Sequence, residues 1–292
     1  MIDMSKKNPE IVGILSKTMN LFTYSLLSVI IKLSLSHIHT FQIIFLMNAA
    51  GFLLTSIILL SKKNTIMIGT ISKTYLARGV VFTLGIITWI SAIKFIPITE
   101  ATAISYLTPI MAGLFGTVLF KEKFNKHILF SLLLSIIGMI IILKPSQTNI
   151  LAQGVSLALL SAISWAVHDV IVKLQTRTES WLKQSHTMFF MVSIFTLPMA
   201  LYVWQPVEPK YILLSIVVGI LSVINKFFLV KALSKTNLII LAPITFLRLV
   251  FTSAMAYVVF GEIIDIYSIT GVIVIIYSTL LMIKSLRNKR FY

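Results

Sequence analysis

Apolar residues in this chain come in long unbroken runs separated by short polar breaks. A helix needs roughly 20 mostly apolar residues to cross the hydrocarbon of a bilayer. Runs of that kind lie at 11–34, 41–60, 75–94, 98–120, 127–144, 152–173, 184–204, 210–231, 237–260 and 265–284. The breaks hold residues that end a span: Ser61-Lys62-Lys63-Asn64, Lys121-Glu122-Lys123, Lys144-Pro145-Ser146 and Gln205-Pro206-Val207-Glu208-Pro209. Membrane β-strands would instead alternate apolar and polar positions over ~10-residue segments. The pattern predicts an all-α polytopic membrane protein with ten transmembrane helices. Lys6 and Lys7 precede the first run, as in a signal peptide. That run continues past Lys17 to Leu35 with no small-residue cleavage site, so it is expected to stay as the first span.

Composition narrows the class. The chain is 58% hydrophobic and 12% charged, against about 45–50% and 25% in soluble domains. A soluble enzyme, a disordered chain and a coiled coil are excluded. Lys+Arg 25 against Asp+Glu 9 gives a net charge of +16, which in a soluble protein would suggest nucleic acid. Here the basic residues sit in the breaks, where they face anionic lipid headgroups, so the expected partner is the bilayer and not nucleic acid. Eighteen of them fall in the N-terminal tail, the even-numbered loops and the C-terminal tail, and only Lys32, Lys94, Lys144 and Lys210 on the other side. This asymmetry places both termini in the cytoplasm. Cysteine is absent, which excludes disulfides and thiolate chemistry. The histidines show no HExxH spacing, and neither GxSxG nor GxxxxGK[ST] occurs. An enzyme is therefore disfavoured, and no metal, cofactor or obligate protein partner is indicated.

Sliding the chain against itself gives a register near 140. Ala92-Ile93-Lys94 meets Ala232-Leu233-Ser234, Phe120-Lys121-Glu122 meets Phe260-Gly261-Glu262, and Lys144 meets Lys284. One residue further, Ser28-Val29-Ile30-Ile31-Lys32 meets Asp169-Val170-Ile171-Val172-Lys173, and Tyr24 meets Trp165. Two five-helix halves follow, 1–147 and 148–292. Five is odd, so the second half lies inverted relative to the first. Such repeats are common in secondary transporters, with substrate bound near the midplane between halves.

Further motifs carry a resemblance. Ala77-Arg78-Gly79 enters the third span and Ala92-Ile93-Lys94-Phe95-Ile96-Pro97 leaves it; Pro109, Phe120-Lys121-Glu122, and Gly138 ahead of Leu143-Lys144-Pro145 follow in order. With ten short spans, the chain resembles the EamA-type carriers of the drug/metabolite transporter superfamily over nearly its whole length. Ser161-Ala162-Ile163-Ser164-Trp165-Ala166-Val167-His168-Asp169-Val170-Ile171 and Ala242-Pro243 are similar to S-adenosylmethionine uptake carriers. The resemblance implies a secondary carrier of the bacterial inner membrane working by alternating access. Its implied activity is S-adenosylmethionine uptake, with exchange for S-adenosylhomocysteine as one mode. Export of amino acids or related metabolites is the alternative, and a membrane-embedded enzyme the alternative of another class. Met47-Asn48 stands where many relatives have an arginine, and Arg248 is a further departure.

Charged side chains inside spans cost about 2.5–3.5 kcal/mol or more near the centre, so they are the first candidates for function. Arg248 is the deepest; it grips a substrate carboxylate, or pairs structurally with Asp169 or Glu100. Asp169 takes a substrate ammonium or sulfonium or a coupling proton, or pairs with Lys173 one turn on. Its neighbour His168 is expected to point elsewhere and bond another helix. Lys226 either faces the cavity or reaches the interface, and Glu100 is either an outer gate residue or a charge at a helix N-terminus. Lys17 is expected to snorkel. Trp89, Tyr106, Trp165 and Phe246 are aromatic candidates for stacking a base or holding a cation, or else packing residues. Pro109, Pro198 and Pro243 are candidate kinks. The expected ligand is a small zwitterionic or cationic metabolite.

Overall fold

The computed structural model describes residues 9–34, 37–61, 73–95, 104–105, 107–120, 126–143, 152–260 and 266–288. Regular structure there is entirely helical. The helices are α1 (Pro9–Ser34), α2 (Thr40–Ser61), α3 (Lys73–Phe95), α4 (Leu107–Phe120), α5 (Lys126–Leu143), α6 (Ala152–Gln175), α7 (Trp181–Tyr202), α8 (Pro209–Lys235), α9 (Leu238–Thr245), α10 (Leu247–Phe260) and α11 (Ile266–Asn288). Six stretches among them are long and apolar enough to span a membrane: Pro9–Ile31, Thr40–Ser61, Gln153–Gln175, Trp181–Tyr202, Pro209–Lys235 and Ile240–Val259.

Local chemistry sets the helix ends. Ser180 caps α7 by accepting from the Lys183 amide at 3.3 Å. Pro209 opens α8, where its missing N–H costs no intrahelical bond. The apolar run 237–260 does not form one rod: it breaks at Phe246 between α9 and α10. Pro243 stands inside α9, three residues before the break. Phe246 N–H turns to the Pro243 carbonyl at 3.3 Å, and Ser135 of α5 donates to that same carbonyl at 3.4 Å. Pro198, by contrast, sits inside an unbroken α7.

Helices from the two ends of the chain interleave. α1 packs on α8, α3 on α6, α5 on α11, and α2 on both α7 and α8; α4 lies against α6 and α9, and α10 against α1. Large apolar side chains such as Leu53, Ile57 and Leu213 remain outward-facing, which suits a surface solvated by lipid. Small residues and hydroxyls replace a hydrophobic driving force where helices touch. A Cβ on Gly138 of α5 would stand 2.9 Å from the Gly271 carbonyl of α11. One turn from that contact, the Ser135 and Ser278 hydroxyls meet at 2.8 Å. The main apolar core joins α1, α6, α8 and α9 through Ile14, Leu21, Val170, Leu229, Leu233 and Ile244.

Candidate functional site

Charged residues gather where α1, α3, α6 and α8 meet, toward the end of the bundle that holds the start of α1. On α1, Gly13, Lys17, Asn20 and Tyr24 recur at spacings of four and three, which puts them on one face. That face is pressed on α8. Gly13 lies against Thr236 and the Ala232 carbonyl. Asn20 Nδ2 donates to the Asn225 carbonyl at 3.1 Å, and Asn225 Nδ2 donates to the Asn20 carbonyl at 2.7 Å and to Thr23 Oγ1 at 3.0 Å. Lys17 stands between these contacts and is only 6% exposed. It does not snorkel, because its stripe faces the bundle.

On α3 the stripe is Arg78, Phe82, Gly85 and Trp89, and it faces α6. Ser161 Oγ donates to the Gly85 carbonyl at 2.9 Å. Gly85 leaves room for the Trp165 ring, whose centroid lies 5.7 Å from that of Trp89. Further along, Phe82 lies 5.0 Å from the His168 ring, and Lys226 Nζ of α8 sits 4.4 Å from the Phe82 centroid. His168 and Asp169 meet, Nδ1 to Oδ1, at 3.2 Å. A carboxylate only accepts, so Nδ1–H donates and Nε2 is left as a buried acceptor with no partner among the described residues. His168 therefore bonds its own neighbour, contrary to the expectation that it points elsewhere: packing against Phe82 turns the ring back along α6. Lys173 Nζ, one turn beyond Asp169, donates to the Thr236 carbonyl.

Arg78 is the residue that sequence reasoning missed. Counted with the cytoplasmic-side charges although it enters the third span, it is 1% exposed within α3. Its Nη1 donates to Gln175 Oε1 at 2.5 Å and to Gln184 Oε1 at 3.2 Å, tying α3 to the end of α6 and the start of α7. Its spacing from Phe82, Gly85 and Trp89 was the available signal.

Of the sequence candidates, Asp169, Lys226, Trp165 and Trp89 come together here. Arg248 lies deeper, on α10: Nη2 donates to Ser105 Oγ at 3.2 Å and its guanidinium sits 5.2 Å from the Tyr24 ring centroid. Phe246 stands apart, fully buried among Leu132, Ala242, Leu249 and Ile275 at the α5–α11 seam. Glu100 and Tyr106 lie outside the described residues. No metal-ligating cluster occurs among the described residues. Two apolar clefts of about 240 and 400 Å³, one by Phe22 and Phe251 and the other by Trp181 and Phe227, do not include the charged cluster.

The chain is similar to the S-adenosylmethionine uptake transporter of Rickettsia prowazekii (strain Madrid E), 27% identical over 94% of this chain and 92% of that one. The transporter of the same name from Rickettsia conorii is 28% identical over 91% and 90% of the two chains. The pseudopaline exporter CntI of Pseudomonas aeruginosa PAO1 is 23% identical over 90% and 93%. A solved crystal structure superposes with a TM-score of 0.82 at 15% identity, covering 92% of this chain and 96% of its own, which shows the fold. The apolar helices make this a multi-pass membrane protein, and the bacterial relatives point to the inner membrane. The EamA-like transporter family model matches residues 11–144 and again 152–284, and the chain belongs to that family.

Proposed function

We propose that the chain is an inner-membrane secondary carrier for a small polar metabolite, with S-adenosylmethionine uptake as its activity. It works by alternating access between two inverted five-helix halves, 1–147 and 148–292, both termini being cytoplasmic. No enzymatic step is part of this reading. The observation that carries it is the charged cluster of Lys17, Arg78, His168, Asp169 and Lys226, which lies inside spans and is drawn from both halves. Charges at such depth are costly unless they serve a ligand or an ion path. By helix rise, Lys17, Arg78, Asp169 and Lys226 lie roughly 8–14 Å from their helix ends on one side of the bundle.

Two further observations support the inverted halves. The family model matches twice, in tandem. Helix pairs also recur with their halves exchanged: α1 on α8 answers α6 on α3, and α10 on α1 answers α4 on α6. Substrate charge is read by Asp169, with Trp165 and Trp89 one turn away as a stacking wall for a base. Rocking of one half on the other exposes this cluster to each side in turn.

The test is uptake of labelled S-adenosylmethionine into cells expressing the chain, with unlabelled S-adenosylhomocysteine, amino acids and nucleotides as competitors. Saturable uptake that disappears in Asp169→Asn is the expected result. Absence of that uptake, with an amino-acid derivative leaving the cell instead, would replace import by export and keep the carrier.

A further inference from the structure

The cluster is out of electrostatic balance. Among the described residues it holds three cations, Lys17, Arg78 and Lys226, against the single carboxylate of Asp169. Asp169 is engaged by the His168 imidazole. Arg78 is held by two glutamines. Neither Lys17 nor Lys226 has a carboxylate at salt-bridge distance among the described residues; Lys226 has only the face of Phe82. Buried charges are ordinarily paired, because desolvation without a partner is expensive.

Geometry brings these two lysines together. Lys226 directly follows Asn225, and Lys17 lies three residues before Asn20 on the same face of α1. The two asparagines exchange hydrogen bonds, and α1 and α8 run antiparallel there. Both lysines therefore lie on the same side of the asparagine clasp, toward the start of α1 and the end of α8. The sealed polar atoms of this region with no partner among the described residues include those of Arg78, Thr83, Trp165, His168, Gln175 and Ser222. Lys226 is half-buried and Lys17 buried.

We propose that Lys17 and Lys226 form a two-ammonium clamp for an acid group on the substrate, with Asp169 opposite for its cationic group. The inference rests on the reading of this cluster as the carrier's binding site, and it specifies the ligand class: an α-amino acid derivative whose carboxylate is required. It also moves the carboxylate contact from Arg248, which is occupied with Ser105 and Tyr24, to the lysine pair. Two charge-assisted bonds to one carboxylate supply the partner that both lysines lack in the structure.

The experiment uses the purified full chain in proteoliposomes and detergent. Two probe pairs differ only by a carboxylate: S-adenosylmethionine with its decarboxylated analogue, and methionine with 3-(methylthio)propylamine. Binding is read by thermal stabilisation and by competition for uptake. The acid member of a pair should bind at least about ten-fold better, the size of one hydrogen bond to a charged group. Lys17→Gln and Lys226→Gln should each shrink that preference to within about two-fold, and Lys17→Arg should retain it. Equal binding of acid and decarboxylated compounds, or full preference kept in both Gln variants, overturns the clamp. Preference within the methionine pair without any binding of the adenosyl pair upholds the clamp and defeats the S-adenosylmethionine reading. A ligand-free measurement decides the matter even if no probe binds: Lys17→Met and Lys226→Met remove unpaired cations and should raise the melting temperature. A fall in both shows that the lysines are structural and overturns the proposal.

Discussion

Asn20 and Asn225 bind each other's backbone: each side-chain amide donates to the other residue's carbonyl, at 3.1 and 2.7 Å. Moved along the chain by 141 and 140 positions, the pair becomes Ser161 and Gly85, and Ser161 Oγ donates to the Gly85 carbonyl at 2.9 Å. The same two offsets align Ser28–Lys32 with Asp169–Lys173, and Ala92 with Ala232. One helix-to-helix bond is thus made twice, once as a reciprocal pair and once singly. This supports the reading of two related halves.

The reciprocal pair should behave as a unit. Asn20→Ala removes one donor to the Asn225 carbonyl in a buried seam, and Asn225→Ala removes the donor to both the Asn20 carbonyl and Thr23 Oγ1. Each is expected to cost about 1–3 kcal/mol of stability. The double variant should cost less than the sum, with a coupling of at least about 0.5 kcal/mol. Unfolding of the detergent-purified variants checks this, and strict additivity would show that the two amides act independently. Ser161→Ala, which breaks one bond, should cost about 0.5–1.5 kcal/mol.

Much of the architecture was legible because a bilayer demands long apolar runs, and those runs coincide with helices to within a few residues at most boundaries. The break at Phe246 was legible only as Pro243, since a proline inside a run permits a kink without requiring one; Pro198 in α7 makes the contrast. Lys17 and Arg78 were misplaced for one reason: both lie within about two and a half turns of a helix end, where hydropathy treats a cation as interfacial. Their depth is decided by which face they occupy. The stripes 13-17-20-24 and 78-82-85-89 carry that information, and it becomes readable once the small and polar residues are seen to mark helix contacts. The His168–Asp169 bond was hidden, because adjacent residues on a helix ordinarily diverge by about 100°.

Phe246 was grouped with the binding aromatics, and the structure separates it from them. It is fully buried against Leu132, Leu249 and Ile275. Phe246→Ala should cost about 3–5 kcal/mol of stability through the cavity it leaves. Under the carrier reading, Phe246→Leu should leave the apparent KM for transport unchanged, whereas Trp165→Leu should raise it. Transport kinetics in cells with matched surface expression separate the two, and a KM shift in Phe246→Leu would return this residue to the site.

Gly85 is a close-approach position. A Cβ there would stand 2.6 Å from Trp165 Cδ1 and Nε1, well inside van der Waals contact, so Gly85→Ala must push the ring toward Trp89 or part α3 from α6. The expected cost is about 1–3 kcal/mol. Replacing the indole by a smaller ring relieves the clash, so Trp165→Phe should recover part of the stability lost in Gly85→Ala while being destabilising by itself. A sign change of that kind in a double-mutant cycle is diagnostic of direct contact. If Trp165→Phe adds to the damage in both backgrounds, the ring does not fill the space that Gly85 leaves.

His168 acts through Asp169 and is a positioning residue under the carrier reading. Its Nδ1–H holds one carboxylate oxygen, leaving the other free to meet a substrate cation. His168→Ala removes that tether and opens space beside Phe82, so the carboxylate swings and uptake should fall by about ten-fold, the value of one charge-assisted bond. Asn at the same position offers an amide N–H of similar reach. His168→Asn should therefore restore most of the uptake, while Asp169→Asn, which removes the charge itself, should remain inactive with either residue at 168. Equal loss in His168→Ala and His168→Asn, at matched expression and thermal stability, would mean that the imidazole contributes its packing on Phe82 and not its hydrogen bond.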